Sequence, residues 1–468
     1  MKNILLFGAG KSATVLIDYL IKTVNENNWN FTVADNNELL LKEKVTISNN
    51  ISIVVLNIED KDARQQLIAK ADVVISMMPP HLHYLIAQDC LEHNKHLLTA
   101  SYVDEKIKEH ATSIQEKGLL FLCEMGLDPG IDHMSAMHLI HNIQEKGGKI
   151  TSFKSHCGGL VAPENDDNPW HYKISWNPRN VVLAGKAGAI FKNNHQITHL
   201  PYEELFNKNE SITTSTNNVY AFYPNRDSLS YIDVYELQEA ETFVRTTLRH
   251  PNFCTGWKNI IALKLTDETP AYDTTNMSIA HFFQTHFKKH HTEQWLSSLI
   301  NKQVNNTDNI VNTILEWVNT DEKNKHEKLL ANTVLEQLLF LGLNDNETLI
   351  NKGFCSAADV LQYILEKKLA LHNTDKDLIV MLHEIDYIQN DKKYCISSLL
   401  ELVGEDNHKT AMAKTVGLPL GIAAKLILEN KIQVRGLHIP IIAEIYTPVL
   451  AELQKHGIQF KETAKSID

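Results

Sequence analysis

The sequence predicts an α/β protein: an N-terminal Rossmann-type parallel sheet, then a second mixed α/β domain carrying an inserted all-helical domain. Three observations predict it. Apolar runs alternate with helical stretches as far as about residue 130, and a glycine-rich turn joins the first run to the first helix. From about 270 to 380 the pattern is helical, poor in glycine, with no proline between Pro270 and Pro419.

The first element is a strand, Lys2 to Phe7, turning at Gly8-Ala9-Gly10-Lys11-Ser12-Ala13 into a helix that runs to about Thr23. This is the Gly-x-Gly-x-x-Gly/Ala pattern of a dinucleotide-binding turn, with Ala13 in the third place. The first glycine permits the turn, the second lets backbone approach a pyrophosphate, and the third must be small where helix meets strand. A second strand, Asn30 to Ala34, ends at Asp35, where an acid hydrogen-bonds ribose hydroxyls and repels a 2′-phosphate. Further strands are expected at Ser52–Leu56, Ala71–Ser76, Asn94–Thr99 and Leu119–Leu122, separated by helices at about 60–69, 82–92 and 103–117. Three strand ends therefore deliver groups to one edge: Ser76 and Met77, Ser101 and Tyr102, and Leu127, Asp128 and Pro129. Gly126 and Gly130 flank the last of these in a tight turn before a helix from Met134 to Ile143. On composition alone Asp-Pro-Gly is simply a turn.

The balance of 45 Lys and Arg against 57 Asp and Glu, a net charge of −12, argues against general nucleic-acid binding, and no basic helix suggests a membrane surface. No run of 18 apolar residues is present, and the apolar start is too short for a signal peptide. Six scattered cysteines without a Cys-x-x-Cys pair fit a reducing compartment, so a soluble cytoplasmic protein is expected.

After about 150 the turns become richer. Ser155 to Leu160 leads into a polar loop, 163–169, followed by a helix at 178–186 and a strand at 188–192. The chain has six arginines, hence 45 − 6 = 39 lysines, and three of the six (Arg226, Arg245, Arg249) lie within 226–249. Forked guanidiniums concentrated there suit carboxylate recognition; structural ion pairs explain the same count. In the helical stretch, His281, His286, His290, His291 and His326 have no metal-ligand spacing and read as solvated helix faces; no metal is expected. A strand pair near 377–384 and 393–400, a helix 409–430 broken by Gly417 and Pro419, and a last helix 440–455 complete the chain.

Gly126-Leu127-Asp128-Pro129-Gly130-Ile131-Asp132-His133 resembles the signature turn of the glutamate-forming saccharopine dehydrogenases, or saccharopine reductases. Cys157-Gly158-Gly159-Leu160, Ser175-Trp176, Tyr223 to Ser228, Thr246 to Arg249, Lys414 to Pro419 and Gly436 to Pro440 resemble the same family in the same order. The resemblance implies a discontinuous architecture: 1–130 plus 440–468 as the dinucleotide domain, 131–270 plus 385–439 for substrate and dimerisation, and 271–384 as the helical insertion. It implies an oxidoreductase of lysine metabolism that interconverts saccharopine with glutamate and 2-aminoadipate 6-semialdehyde, acting as a homodimer. Substrate falls to Ser101, Tyr102, Asp128, Arg226, Thr247, Leu248 and Arg249; the groups nearest the reacting carbon are Asp128, Cys157 and Tyr102. Cofactor falls to Gly8, Gly10, Lys11, Ser12, Ala13, Asp35, Ser76, Met77, Leu127, Asp128, Pro129 and Asn177. The chain departs from the family in having Asp35-Asn36-Asn37 where relatives carry an arginine suited to NADP, so NAD is the expected cofactor and NADP the alternative. Alternatives for the whole chain are a carboxynorspermidine or homospermidine synthase-like enzyme, a dinucleotide-sensing protein without chemistry, and a helical interaction module attached to an enzyme.

Overall fold

The apolar runs before residue 130 become buried strands because their alternation with amphipathic segments leaves both faces of a sheet to be covered. The computed structural model describes residues 1–208, 210–304, 310–319 and 325–467. Its contacts define two units: Met1–Cys157, Ser230–Thr242 and Lys376–Asp468 form the first, Gly158–Leu229 and Phe243–Asp375 the second.

In the first unit the order is β1 (Asn3–Phe7), α1 (Thr14–Asn27), β2 (Asn30–Asp35), α2 (Glu38–Lys44), β3 (Ile51–Val55), α3 (Lys61–Lys70) and β4 (Val73–Ser76). Then come α4 (His83–Glu92), β5 (His96–Thr99), α5 (Glu105–Lys108), α6 (Ala111–Glu116), β6 (Leu120–Leu122), α7 (Ile131–Glu145) and β7 (Lys149–Val161). The single helix expected at 103–117 is two, because Glu109 and His110 interrupt it. The first six strands are parallel in the order β3-β2-β1-β4-β5-β6, so the winding reverses between β1 and β4, where doubly wound sheets bind ligands. Gly436–His438 adds a seventh parallel strand beside β6. The chain thus returns to this unit before 440, the boundary read from sequence.

The helix Ala411–Leu428 is unbroken although Gly417 and Pro419 lie within it. Its start is held by Asp377, whose carboxylate accepts from Ala411 N (2.6 Å) and Met412 N (2.9 Å). A Cβ at position 417 would lie 2.9 Å from Leu16 Cβ and 3.3 Å from Ser12 O, so the glycine lets this helix approach the first turn of α1 closely. By length and composition alone this helix could cross a membrane, which the count of apolar residues did not anticipate; 83% of it is buried inside the fold. Burial on nearly every side outweighs the proline's lost hydrogen bond. A hairpin, Asp377–Gln389 with Lys392–Val403, turns on Asn390 and Asp391, both at positive φ, and Lys461–Ser466 pairs beside it.

The second unit has Glu210–Thr213 and Val219–Pro224 in an antiparallel ladder with residues 246–249 of the strand Thr242–Arg249. The helix expected at 178–186 ends at Val182. The helices Ile279–His290, Glu293–Ile300, Ile310–Asn319, Lys325–Phe340 and Ala357–Lys368 fall in the stretch read as a separate domain. Among the described residues they share one core with the rest of the unit. Phe282, Leu335 and Leu361 share one cluster with Trp170, Phe253 and Trp257. Gln337 ties the two parts by donating to Pro169 O (3.0 Å) and Asn252 O (2.9 Å). His286 is likewise buried, not solvated, between the Tyr272 hydroxyl (2.7 Å) and Leu263 O (2.7 Å). The side chain of His326 lies outside the described residues.

Replacing Gly417 with valine is expected to destabilise the chain by about 1–3 kcal/mol, since the added methyls meet the backbone of α1. Urea unfolding followed by far-UV circular dichroism measures it, and an unchanged midpoint would refute the close-approach argument.

Candidate functional site

The dinucleotide turn follows β1. Gly8 has φ +98°, and a Cβ there would stand 3.0 Å from Met77 O, so no other residue fits without strain. At Gly10 a Cβ would meet nothing within 4 Å, leaving an open face over which a pyrophosphate can approach the backbone. Lys11, Ser12 and Ala13 form one 3₁₀ turn leading into α1, whose N-terminal end favours an anion. Ala13 is wholly buried, as the third position requires. Asp35 closes β2 and braces this turn: Oδ2 accepts from Ala9 N (2.8 Å) and Oδ1 from Asn37 N (2.9 Å). Lys44, which the sequence reading passed over, donates to Gly10 O (2.7 Å) and Thr14 Oγ1 (2.9 Å). Burial pushes its ammonium below the ordinary lysine value, opposed by the nearby carboxylates of Glu43 and Asp35. These features fit a nicotinamide dinucleotide.

The strand ends beside it carry the other first-unit candidates. Met77 N donates to Phe7 O (2.8 Å), which places Ser76 and Met77 against the first glycine. Ser76 Oγ lies 2.7 Å from His83 Nδ1, and His83 Nε2 lies 2.8 Å from Ser101 Oγ and 3.3 Å from Thr99 Oγ1. One imidazole therefore joins the end of β4 to the end of β5. Burial pushes the His83 pKa down to about 4, so it is neutral at pH 7, donating from one nitrogen and accepting at the other. Nothing in the Pro79-Pro80-His81-Leu82-His83 spacing marks it out.

Ser101 and Tyr102 follow β5, and Leu127, Asp128 and Pro129 follow β6, the adjacent strand. Tyr102 and Asp128 are partly exposed, while Leu127 and Pro129 are buried. The turn is tight: Gly126 N donates to Pro129 O (3.0 Å), and a Cβ on Gly130 would lie 2.1 Å from Gly126 O. Cys157, also in this unit, lies buried on β7 at 6% exposure. Glu124 and His133, within the same motif, form a buried pair that sequence reasoning did not single out (2.8 Å).

The remaining candidates lie in the second unit. Arg249 is buried, its guanidinium carbon 5.3 Å from the Tyr172 ring centroid and 5.4 Å from that of Phe253, with Nη1 donating to Leu248 O (2.8 Å). Its charge lowers the Tyr223 pKa, but burial is the larger effect and leaves that phenol raised. Thr247 and Leu248 pair with Tyr223 and Phe222 on the neighbouring strand. Leu248 stands so near Gly158 that a Cβ there would lie 2.7 Å from Leu248 Cβ. Arg226 differs from Arg249: it is exposed and has φ +52°. Arg245 is buried. Asn177 caps the helix Pro178–Val182, its Oδ1 accepting from Arg179 N (2.9 Å), and belongs to this unit rather than to the dinucleotide turn's.

Comparison with known proteins places similarity over the whole chain. Residues 4–122 match the family model "Saccharopine dehydrogenase NADP binding domain" and 126–458 match "Saccharopine dehydrogenase C-terminal domain". The chain is 30% identical to the saccharopine dehydrogenase [NADP(+), L-glutamate-forming] of Pyricularia oryzae, covering 98% of each. It is 33% identical to an alpha-aminoadipic semialdehyde synthase of Arabidopsis thaliana, over 99% of this chain but 45% of that one; the chain thus spans about half of that relative. Among solved structures, apo saccharopine dehydrogenase (L-Glu forming) from Saccharomyces cerevisiae superposes with a TM-score of 0.83 at 29% identity, covering 99% of this chain and all of the other.

His83 in the first unit and His286 in the second are both pushed down to about 4 by burial, from 6.5. Between those values the unfolded chain binds more protons, so stability is full above about pH 6.5 and falls as pH drops toward 4. A thermal melt series over that range is expected to show the decline, less steep in His83→Gln; identical slopes would refute the assignment for His83.

Proposed function

The chain belongs to the saccharopine dehydrogenase family, and from that premise we propose that it catalyses the glutamate-forming oxidation of saccharopine and its reversal, a step of lysine metabolism. The observation that carries the reading is the end-to-end match of both units to the fungal enzyme, with the Leu127-Asp128-Pro129 turn beside a dinucleotide-binding edge. In the forward direction saccharopine loses a hydride from the carbon beside its secondary amine and a proton from nitrogen. Water adds to the resulting imine, and the C–N bond breaks to release glutamate and 2-aminoadipate 6-semialdehyde. When bound, the nicotinamide accepts the hydride.

The chain's own groups do the rest. Asp128 holds the substrate amine or takes its proton; Tyr102 and Cys157 orient the substrate or relay protons during imine hydrolysis. Arg249, its guanidinium lying over the neighbouring Tyr172 and Phe253 rings, supplies a charge for one of saccharopine's three carboxylates; Arg226 supplies another. The arginines favour a polycarboxylate over the diamine of a homospermidine synthase-like enzyme.

For the cofactor, the fungal relative's name and the matched domain's description favour NADP over the NAD expected from sequence. Lys44 adds a positive charge beside the turn. One specific observation favours NAD. Asp35 stands at the end of β2 with its charge where a 2′-phosphate would approach, and Asp35-Asn36-Asn37 holds no arginine.

Absorbance at 340 nm with saccharopine is expected to rise with either cofactor, faster with NADP. Arg249→Ala is expected to lower kcat/KM for saccharopine by about 100-fold, with Arg249→Lys failing to restore it. Silence with saccharopine, together with oxidation of reduced cofactor by a diamine plus aspartate semialdehyde, would move the chain to the polyamine branch. In the same assay, Asp35→Asn keeps an acceptor for Ala9 N while removing the charge. It is expected to raise the NADP-to-NAD ratio of kcat/KM by about tenfold; an unchanged ratio would remove Asp35 from cofactor choice.

A further inference from the structure

Glu124 is a carboxylate almost fully withdrawn from water, at 4% exposure, in a backbone conformation (φ +58°) that non-glycine residues adopt only where their surroundings impose it. A buried charge of this kind is expensive unless hydrogen-bonded, and here it is. Oε1 accepts from Val103 N (3.2 Å), while Oε2 accepts from His133 Nε2 (2.8 Å) and from the Tyr231 hydroxyl (3.0 Å). The main-chain amide of Glu124 donates to Ser101 O (3.0 Å). Ser101 and Val103 are the two neighbours of Tyr102, so one residue grips the loop on both sides of that tyrosine.

His133 extends the grip. It is wholly buried in the first turn of α7, and its Nδ1 lies 2.5 Å from the Tyr235 hydroxyl. With a proton on Nε2, every bond has one donor and one acceptor: Tyr235 donates to Nδ1, and Nε2 donates to Glu124. The Glu124–His133 bond closes the segment 125–132 into a loop that contains Asp128. Gly126 N to Pro129 O and Ile131 N to Gly126 O (2.9 Å) stiffen that loop from within.

We propose that Glu124 and His133 are positioning residues, a buried carboxylate–imidazole pair that sets the placement of Tyr102 relative to Asp128. Neither touches the dinucleotide turn after β1 in any bond described above. Leu127, Asp128 and Pro129, assigned to the cofactor, lie inside the closed loop, but the Gly126–Pro129 and Ile131–Gly126 main-chain bonds hold them without Glu124. The larger effect therefore falls on Tyr102 and the reacting groups, and the smaller on cofactor affinity. The proposal rests on the roles given to Tyr102 and Asp128 in the preceding reading.

The test is steady-state kinetics beside direct binding of reduced cofactor by fluorescence, on purified full-length chain. Wild-type turnover of saccharopine tests the preceding reading by itself. The positioning is read from the ratio of variant to wild-type kcat, on saccharopine or on the diamine pair, whichever the wild type turns over. Glu124→Ala is expected to lower kcat by about 100-fold, the cost of a misplacement near 1 Å, with cofactor affinity within about twofold of wild type. Glu124→Gln is expected to recover much of the loss, because an amide oxygen accepts from Val103 N while the imidazole changes tautomer to accept from the amide nitrogen. Should Glu124→Ala not fold, Tyr235→Phe removes only the hydroxyl behind His133, and is expected to lower kcat by about threefold to tenfold at unchanged cofactor affinity. Unchanged kcat in a folded Glu124→Ala or Tyr235→Phe overturns the proposal. So does a loss of cofactor affinity in step with kcat, which would mark a merely structural role.

Discussion

The parallel pairing of β1 between β2 and β4 is the constraint on which the first unit depends. Leu5 sits opposite Thr32 on one side and Val74 on the other, and the same register brings Phe7 level with Ala34 and Ser76. Because all three strands run the same way, their carboxyl ends open on one edge. Gly8, Asp35 and Met77 meet there by geometry, without needing proximity in sequence. An all-parallel sheet must also be covered on both faces, which explains why Ile4–Phe7 of β1 and Val73–Ile75 of β4 are apolar and buried. It also explains why a long, nearly fully buried helix from the far end of the chain, Ala411–Leu428, is drawn onto α1. The glycine at 417 that permits this contact lies against Ser12, so the helix backs the dinucleotide turn itself.

Polar groups then stitch the open edge together in a second layer. Asp35 holds the glycine turn through Ala9 N. His83 joins the ends of β4 and β5, and Glu124 with His133 joins the end of β5 to the turn after β6. Each of these is buried or half-buried, and each hydrogen-bonds to main chain or to a neighbouring side chain. In a low-dielectric setting such a chain is rigid, since breaking any bond strands a polar group away from water. The partly exposed residues at that edge, Tyr102 and Asp128, stand on loops this layer holds.

The second unit solves a different problem. It buries a guanidinium, and it does so by setting Arg249 over the rings of Tyr172 and Phe253 beside a core of large aromatic residues. The helices from Ile279 onward complete that core. Phe282, Leu335 and Leu361 of these helices lie in one cluster with Trp170, Phe253 and Trp257, so a periodic helical pattern read as an insertion folds as part of a larger whole.

What the sequence by itself determined is local. The glycine spacing at Gly8 and Gly10, the β-α alternation, the hairpin at 377–403 and the Gly126–Gly130 turn follow from steric rules acting over a few residues, and family resemblance supplied the chemistry to attach to them. The resemblance to saccharopine dehydrogenases was legible along nearly the whole chain for the same reason: its motifs are short contiguous strings. What only the tertiary structure decided is whatever depends on partners distant in the chain. The helix at 411–428 stays whole through Gly417 and Pro419 because burial against α1 outweighs their propensities. His286, which reads as a solvated helix face, is buried because Tyr272 and Leu263 are there to satisfy it. His83 and Glu124 carried no spacing signal, since a histidine and a glutamate become a bridge only when folding brings Ser101, Val103 and Tyr231 within 3.2 Å. Steric preference acts along the chain, whereas desolvation and hydrogen-bond satisfaction depend on the neighbours that folding assembles.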